Sequence, residues 1–174
     1  MSHFVVDTEA NGPCPGLYSM IQIGVILIDE EGLKNTFFAE FYPIGLKWDD
    51  NAIKAIGLTR SEIEKYPPAD KGILDLYNWI AATNKNGRPI MWSDNPAFDW
   101  QWVNYYFHLF IGKNPFGFSA RRIGDVYCGI VKDTYASWKH LRKTKHDHFP
   151  VNDAKGNAEA LLHMKHQMNL KISF

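Results

Sequence analysis

Cysteine is scarce: Cys14 and Cys128 are the only two in 174 residues. They form no C-x-x-C pair and no disulfide framework, and they fit a reducing compartment. No long hydrophobic run is present either. The longest apolar stretch, Met20 to Ile28, is interrupted by Gln22 and is far too short to span a bilayer. Asp7 breaks the N-terminal apolar run before a signal-peptide core can develop. Neither sign of charge prevails, since 19 Lys and Arg balance 19 Asp and Glu. Without a global field, binding of a polyanion must come from a local patch. Repeats and low-complexity segments are absent, which excludes collagen, coiled coil and disorder. What remains is 45% apolar residues, 14% aromatic and 22% charged, the composition of a globular chain. At this length it buries enough surface to fold as one domain without a disulfide or structural zinc. The expected location is the cytoplasm.

The chain opens as three strands. Phe4-Val5-Val6 leads to Asp7, Met20 to Ile28 is a longer β-branched run, and Thr36 to Tyr42 returns after the turn Asp29-Glu30-Glu31-Gly32. Helical signals follow at 51–56 and after Thr59, which reads as an N-cap. From Asp70, the set Ile73, Leu74, Tyr77, Ile80 and Ala81 marks one face of a helix. Ile90 to Trp92 is a fourth strand, and Pro96 opens a long helix lined by Phe98, Trp102, Tyr105, Tyr106 and Leu109. Ile123 to Val126 reads as a fifth strand followed by a helix to about Trp138. A last helix spans Val151 to Met168. Strands followed by alternating helix and strand predict an α/β domain with a mixed sheet.

Four carboxylates stand out. Asp7 and Glu9 lie two apart at a strand end, so both project from one face, where a cation would relieve their repulsion. Such a pair also arises by chance, and Asp29-x-Glu31 in the hairpin turn reads as a solvated tip. Asp99 sits in the first turn of the Pro96 helix, where the macrodipole favours any carboxylate; it is also where open α/β sheets place their sites. Asp153 falls early in the last helix, because Pro150 is tolerated only at or before the first turn. His148 lies in the preceding loop, which suits a general base; the plainer alternative is an exposed imidazole in a His-rich segment. A zinc site from His146, Asp147 and His148 is disfavoured by irregular spacing and the lack of nearby cysteine.

Taken together, these segments resemble the DEDDh branch of the DnaQ-like 3′-5′ exonucleases. The first motif is similar to Val5-Val6-Asp7-Thr8-Glu9 followed by Met20 to Asp29, the second to Asn95-x-x-x-Phe98-Asp99, and the third to His148-x-x-x-x-Asp153. Ile56-Gly57-Leu58-Thr59 and Ile123-Gly124-Asp125 resemble two connecting segments, and Trp92 to Asp99 is closest to small single-domain exoribonucleases of bacteria and phages. The resemblance runs from residue 4 to about 162. It departs at Ala10, where a Thr is common, and at Pro150, where a small residue is usual.

The resemblance implies an RNase H-like fold, a five-stranded mixed sheet flanked by helices, with the site at the strand ends. It implies two divalent ions, Mg²⁺ or Mn²⁺, on Asp7, Glu9, Asp99 and Asp153, with His148 taking the proton of the attacking water. The products would be nucleoside 5′-monophosphates. Ala10, Thr59, Phe98, Lys143 and Lys145 are the implied substrate contacts. Lys139, Arg142, Lys143 and Lys145 form a basic stretch before His148, with Arg121 and Arg122 as further candidates; an ordinary solvated loop is the alternative. The expected substrate is RNA with a single-stranded or overhanging 3′ end. Competing readings are a DNA exonuclease of the same chemistry and an inert nucleic-acid-binding relative. A homodimer fits the resemblance, though no interface stripe separates from the core.

Overall fold

A computed structural model describes residues 1–29, 32, 33 and 35–173. Five strands form one sheet: β1 (His3–Ala10), β2 (Met20–Ile28), β3 (Thr36–Glu40), β4 (Ile90–Ser93) and β5 (Ala120–Arg122), in the order β3-β2-β1-β4-β5. The first three pair antiparallel, and β4 and β5 run parallel to β1. The helices are α1 (Asp50–Ala55), α2 (Arg60–Ile63), α3 (Ala69–Thr83), α4 (Pro96–Ile111), α5 (Ile123–Val131) and α6 (Pro150–Gln167), with a 3-10 turn at Lys139–Leu141. The expected mixed α/β sheet and its RNase H-like arrangement are present. No described helix is long and apolar enough to cross a membrane.

Alternation along β1 divides the core into two layers. Phe4, Val6 and Ala10 pack against α3 and α4, with Ile73, Trp102 and Phe107. Val5 points the other way, into a cluster with Ile123, Ala154 and Leu161 from α5 and α6. Asp7 and Glu9 share the face of Val5, so they look toward α6. One absent side chain determines how closely α6 approaches. Gly24 pairs with Asp7 across β2, and a Cβ there would meet the Pro150 backbone at 2.4 Å. The first turn of α6 therefore rests on bare strand beside Asp7, and Pro150 occupies the first helical turn without needing an N–H donor.

Several segments differ from the sequence reading. The fifth strand ends where it was expected to begin, because Ile123, Val126, Tyr127 and Ile130 fall at i, i+3, i+4 and i+7 and form the inner face of α5. That helix stops at Lys132 in the left-handed region, well short of Trp138. The buried stripe of α3 is Ala69, Ile73, Leu76 and Ile80, while Leu74 and Ala81 face solvent. In α4 it is Trp102, Val103, Tyr106 and Phe107, and Leu109 is exposed. Glu30 and Glu31 of the turn lie outside the described residues.

Candidate active site

The site is built where β1 outruns its neighbour. β4 ends at Ser93, and its last β1 partner is Val5 opposite Trp92. From Asp7 onward the β4 side of β1 has no strand beside it, so an N–H directed there needs another acceptor. Asp99, at the start of α4, supplies one. Its Oδ1 accepts from the Thr8 N–H at 2.9 Å and the Thr8 hydroxyl at 2.8 Å, and its Oδ2 accepts from the Ser93 hydroxyl. The three donors lock the carboxylate across the end of the sheet. Neither Thr8 nor Ser93 stood out in the sequence; Thr8 is only the middle residue of Asp-x-Glu, and its role depends on where β4 stops.

On the other face, Asp153 in the first turn of α6 meets Asp7 and Glu9. One carboxylate oxygen from each lies within 4.8 Å of the others. Asp99 is outside that set but close enough to act on it electrostatically. Burial is the main cause holding the Asp7 carboxyl well above its ordinary range, and the charge of Asp99 is the next. Burial and the charges of Asp153 and Asp99 push Glu9 up to about 8. Asp99 itself rises to about 6 through burial, restrained by its bonds from Ser93 and Thr8.

Asp153 is clamped by Arg142, His146 and the backbone of the loop that precedes α6. Arg142 reaches Oδ1 at 2.7 Å, His146 Nδ1 reaches Oδ2 at 2.7 Å, and the His148 backbone N–H donates to Oδ2 at 3.1 Å. Arg142 and Asp153 are 8% and 1% exposed in their side chains. A pair this buried is costly to break from one side. Gly156 makes room for it, since a Cβ there would stand 2.5 Å from the Arg142 Nε. The basic stretch is therefore not one surface. Arg142 is interior, Lys139 pairs with Asp94 at 3.2 Å, Arg122 pairs with Asp125, and Arg121 lies over the Trp92 ring.

His148 sits in the left-handed region at φ 60°, a conformation that costs a non-glycine residue about 1–3 kcal/mol and is common at active sites. Its N–H bond to Asp153 and the Asp147 bonds to the Phe149 N–H and Asn152 hold the loop. Its Nδ1 lies 3.6 Å from Glu9 Oε1. Glu9 and His148 border a hollow whose walls include Ala10, Pro13, Ala52, Ile56 and Phe98. Ala10 and Phe98 are thus beside the carboxylates. Thr59 is not part of that hollow: it caps α2 through a reciprocal bond with Glu62. Lys143 borders a different hollow with His163 and His166, and Lys145 is an exposed loop residue. Spacing did not separate these cases, because helix caps and substrate contacts draw on the same polar residue types.

The raised carboxyls determine a pH dependence. In the unfolded chain Glu9 ionises near its ordinary 4.5, whereas in the fold it holds its proton up to about 8. The folded state then binds more protons across this window, so stability falls as pH rises through it. Metal-free protein is expected to melt at progressively lower temperature from about pH 5 to about pH 8. Millimolar Mn²⁺ should restore the melting temperature most at the alkaline end. Calorimetry at constant ionic strength checks both; a profile that Mn²⁺ leaves unchanged contradicts a cation-binding cage.

A mixed five-stranded sheet with acidic side chains converging from β1 and α6 defines an α/β protein with a candidate cation-binding site at the end of its central strand. No family model matches the chain. It is 32% identical over 167 residues to the 3′-5′ DNA exonuclease Cap18 of Escherichia coli, covering 88% of this chain and 86% of that one. Its fold matches the nuclease domain of 3′hExo, a DEDDh family member bound to rAMP, with a TM-score of 0.77, 16% identity and coverage of 99% and 96% of the two chains. It also matches E. coli exonuclease I in complex with a dT13 oligonucleotide, with a TM-score of 0.76, 14% identity and coverage of 97% and 42%. The chain belongs to the DEDDh-type 3′-5′ exonucleases, enzymes that hydrolyse phosphodiester bonds.

Proposed function

We propose that this chain is a metal-dependent exonuclease of the cytoplasm that trims single-stranded 3′ ends to nucleoside 5′-monophosphates, with DNA as its main substrate. The observation that carries the reading is the convergence of Asp7, Glu9 and Asp153, with His148 beside Glu9. The donor set fits hard divalent ions such as Mg²⁺ or Mn²⁺, which take oxygen ligands. Burial and mutual repulsion disfavour the charged forms of Asp7 and Glu9, a cost that a bound cation removes. Asp7, Glu9 and Asp153 would hold two such ions, with Asp99 at their flank. Bound there, the ions supply charge neutralisation at the phosphoryl oxygens and acidify water.

The remaining work falls to the side chains. His148, at the rim beside Glu9, receives the proton of the attacking water. Arg142 and His146 keep Asp153 turned toward β1. Phe98 and Ile56 give the terminal base and sugar an apolar wall, and Ala10 leaves that wall smooth where a hydroxyl would otherwise project. An inert binding module would gain nothing from crowding buried anions next to a polyanion.

The choice of DNA rests on the relative named as a DNA exonuclease at 32% identity; RNA is the substrate that the motif resemblance favours. A side-by-side digestion of matched 5′-labelled DNA and RNA strands tests both. DNA should shorten stepwise and faster than RNA in Mg²⁺ or Mn²⁺, and neither should shorten in EDTA. Faster loss of RNA transfers the assignment to RNA, and mononucleotide release in EDTA overturns metal dependence.

A further inference from the structure

Two imidazoles stand against the carboxylate cage. His146 and His148 meet edge to face with ring centroids 4.3 Å apart at 65°, and His146 Nδ1 lies 2.7 Å from Asp153 Oδ2. A ligand atom from each of His146, His148 and Asp153 lies within 4.8 Å of the other two. Asp147, the carboxylate between them in sequence, turns away to bond the Phe149 N–H and Asn152. Asp153 replaces it because the left-handed turn at His148 folds the loop back over the start of α6.

We propose that His146, His148 and Asp153 form a second, selective cation site that takes Zn²⁺ or a similar borderline ion and, when filled, inhibits the nuclease. The chemistry distinguishes it from the cage beside it. Mg²⁺ seeks oxygen and holds its waters, whereas two imidazole nitrogens and a carboxylate are a common zinc donor set. Tetrahedral zinc, with bonds of about 2.0–2.2 Å, needs donors about 3.4 Å apart. The Asp153–His146 distance is already shorter than that. His146 is half exposed, so its ring opens toward solvent to admit the ion, and His148 swings in from the rim. Three protein donors leave a fourth position open.

Arg142 remains on Asp153 Oδ1, so the ion takes Oδ2. Inhibition follows from shared residues and rests on the function proposed above: a zinc ion here withdraws Asp153 from the cage and His148 from proton transfer. The site itself rests only on the placement of its three side chains.

His146→Gln is the decisive variant, because it removes one imidazole donor at a half-exposed position while its amide can still donate to Asp153. His166→Gln, at an exposed position on α6 outside the cluster, serves as the control. In millimolar Mg²⁺, calorimetric titration with Zn²⁺ should show one tight site per chain. That site should weaken at least about tenfold in His146→Gln, the lower range for loss of a metal-supporting residue, and be unchanged in His166→Gln. Co²⁺ substituted for Zn²⁺ should give the intense visible absorption of a tetrahedral ion in the wild type and not in His146→Gln. In the nuclease assay, the Zn²⁺ concentration for half inhibition should rise by the same factor in His146→Gln. Equal Zn²⁺ affinity in wild type and His146→Gln overturns the site. Zn²⁺ binding that needs His146 but leaves an active nuclease uninhibited overturns the inhibitory role. Binding that needs His146 in a chain with no nuclease activity in any metal upholds the site and counts against the proposed function instead.

Discussion

Asp7→Asn is expected to lower the rate of 3′-end hydrolysis by about 10³–10⁴-fold, corresponding to the several kcal/mol that metal-borne charge stabilisation is worth. The same change should raise the melting temperature of the metal-free protein at pH 8. Asp7 clusters with Glu9 and Asp153, and its carboxyl is held well above the ordinary range by burial and by the charges of Asp99, Glu9 and Asp153. An amide of the same shape removes one charge from the crowd. Activity and stability therefore move in opposite directions, which a merely structural carboxylate would not do. Single-turnover rates with a labelled strand and melting curves in EDTA measure the two effects. A variant that loses activity and stability together would show that Asp7 maintains the fold rather than the site.

His148→Ala should reduce turnover by about 10²–10⁴-fold, the usual contribution of a general base. Its Mn²⁺ affinity in the cage should stay close to that of the wild type, because His148 contributes its backbone N–H to Asp153 and an alanine retains that group. The diagnostic is the split between parameters: kcat falls, while the Mn²⁺ concentration giving half-maximal rate does not move. Unchanged kcat removes His148 from proton transfer. A large rise in the Mn²⁺ requirement reassigns it to holding the cage together.

The contrast between the Asp7–Glu9 pair and the basic stretch marks what a linear pattern conveys. Alternation along a strand is a property of the backbone, so i and i+2 share a face wherever the strand lies. Pro150 likewise set the phase of α6 locally, placing Asp153 in its first turn. The order of strands and the turn signals were local too, and five strands in a mixed sheet followed from them. The fifth strand was misplaced by only a few residues because a short apolar run fits an extended segment and a helix face equally well. Arg142 differs in kind. Its neighbours in sequence are exposed cations, and nothing near it says that Gly156, fourteen residues on, leaves a slot for its guanidinium beside Asp153.

By itself the sequence conveyed the class of fold and the candidate acidic residues, which depend on periodicity and spacing within single segments, and a resemblance of its motifs pointed to the family. Only the tertiary structure decided how those residues are held: Thr8 and Ser93 on Asp99, Arg142 and His146 on Asp153, and Asp147 turned away from the imidazoles. The physical reason is that a side chain's partner depends on where other strands and helices end. Here that meant a strand stopping short at Ser93 and a helix settling on bare backbone at Gly24.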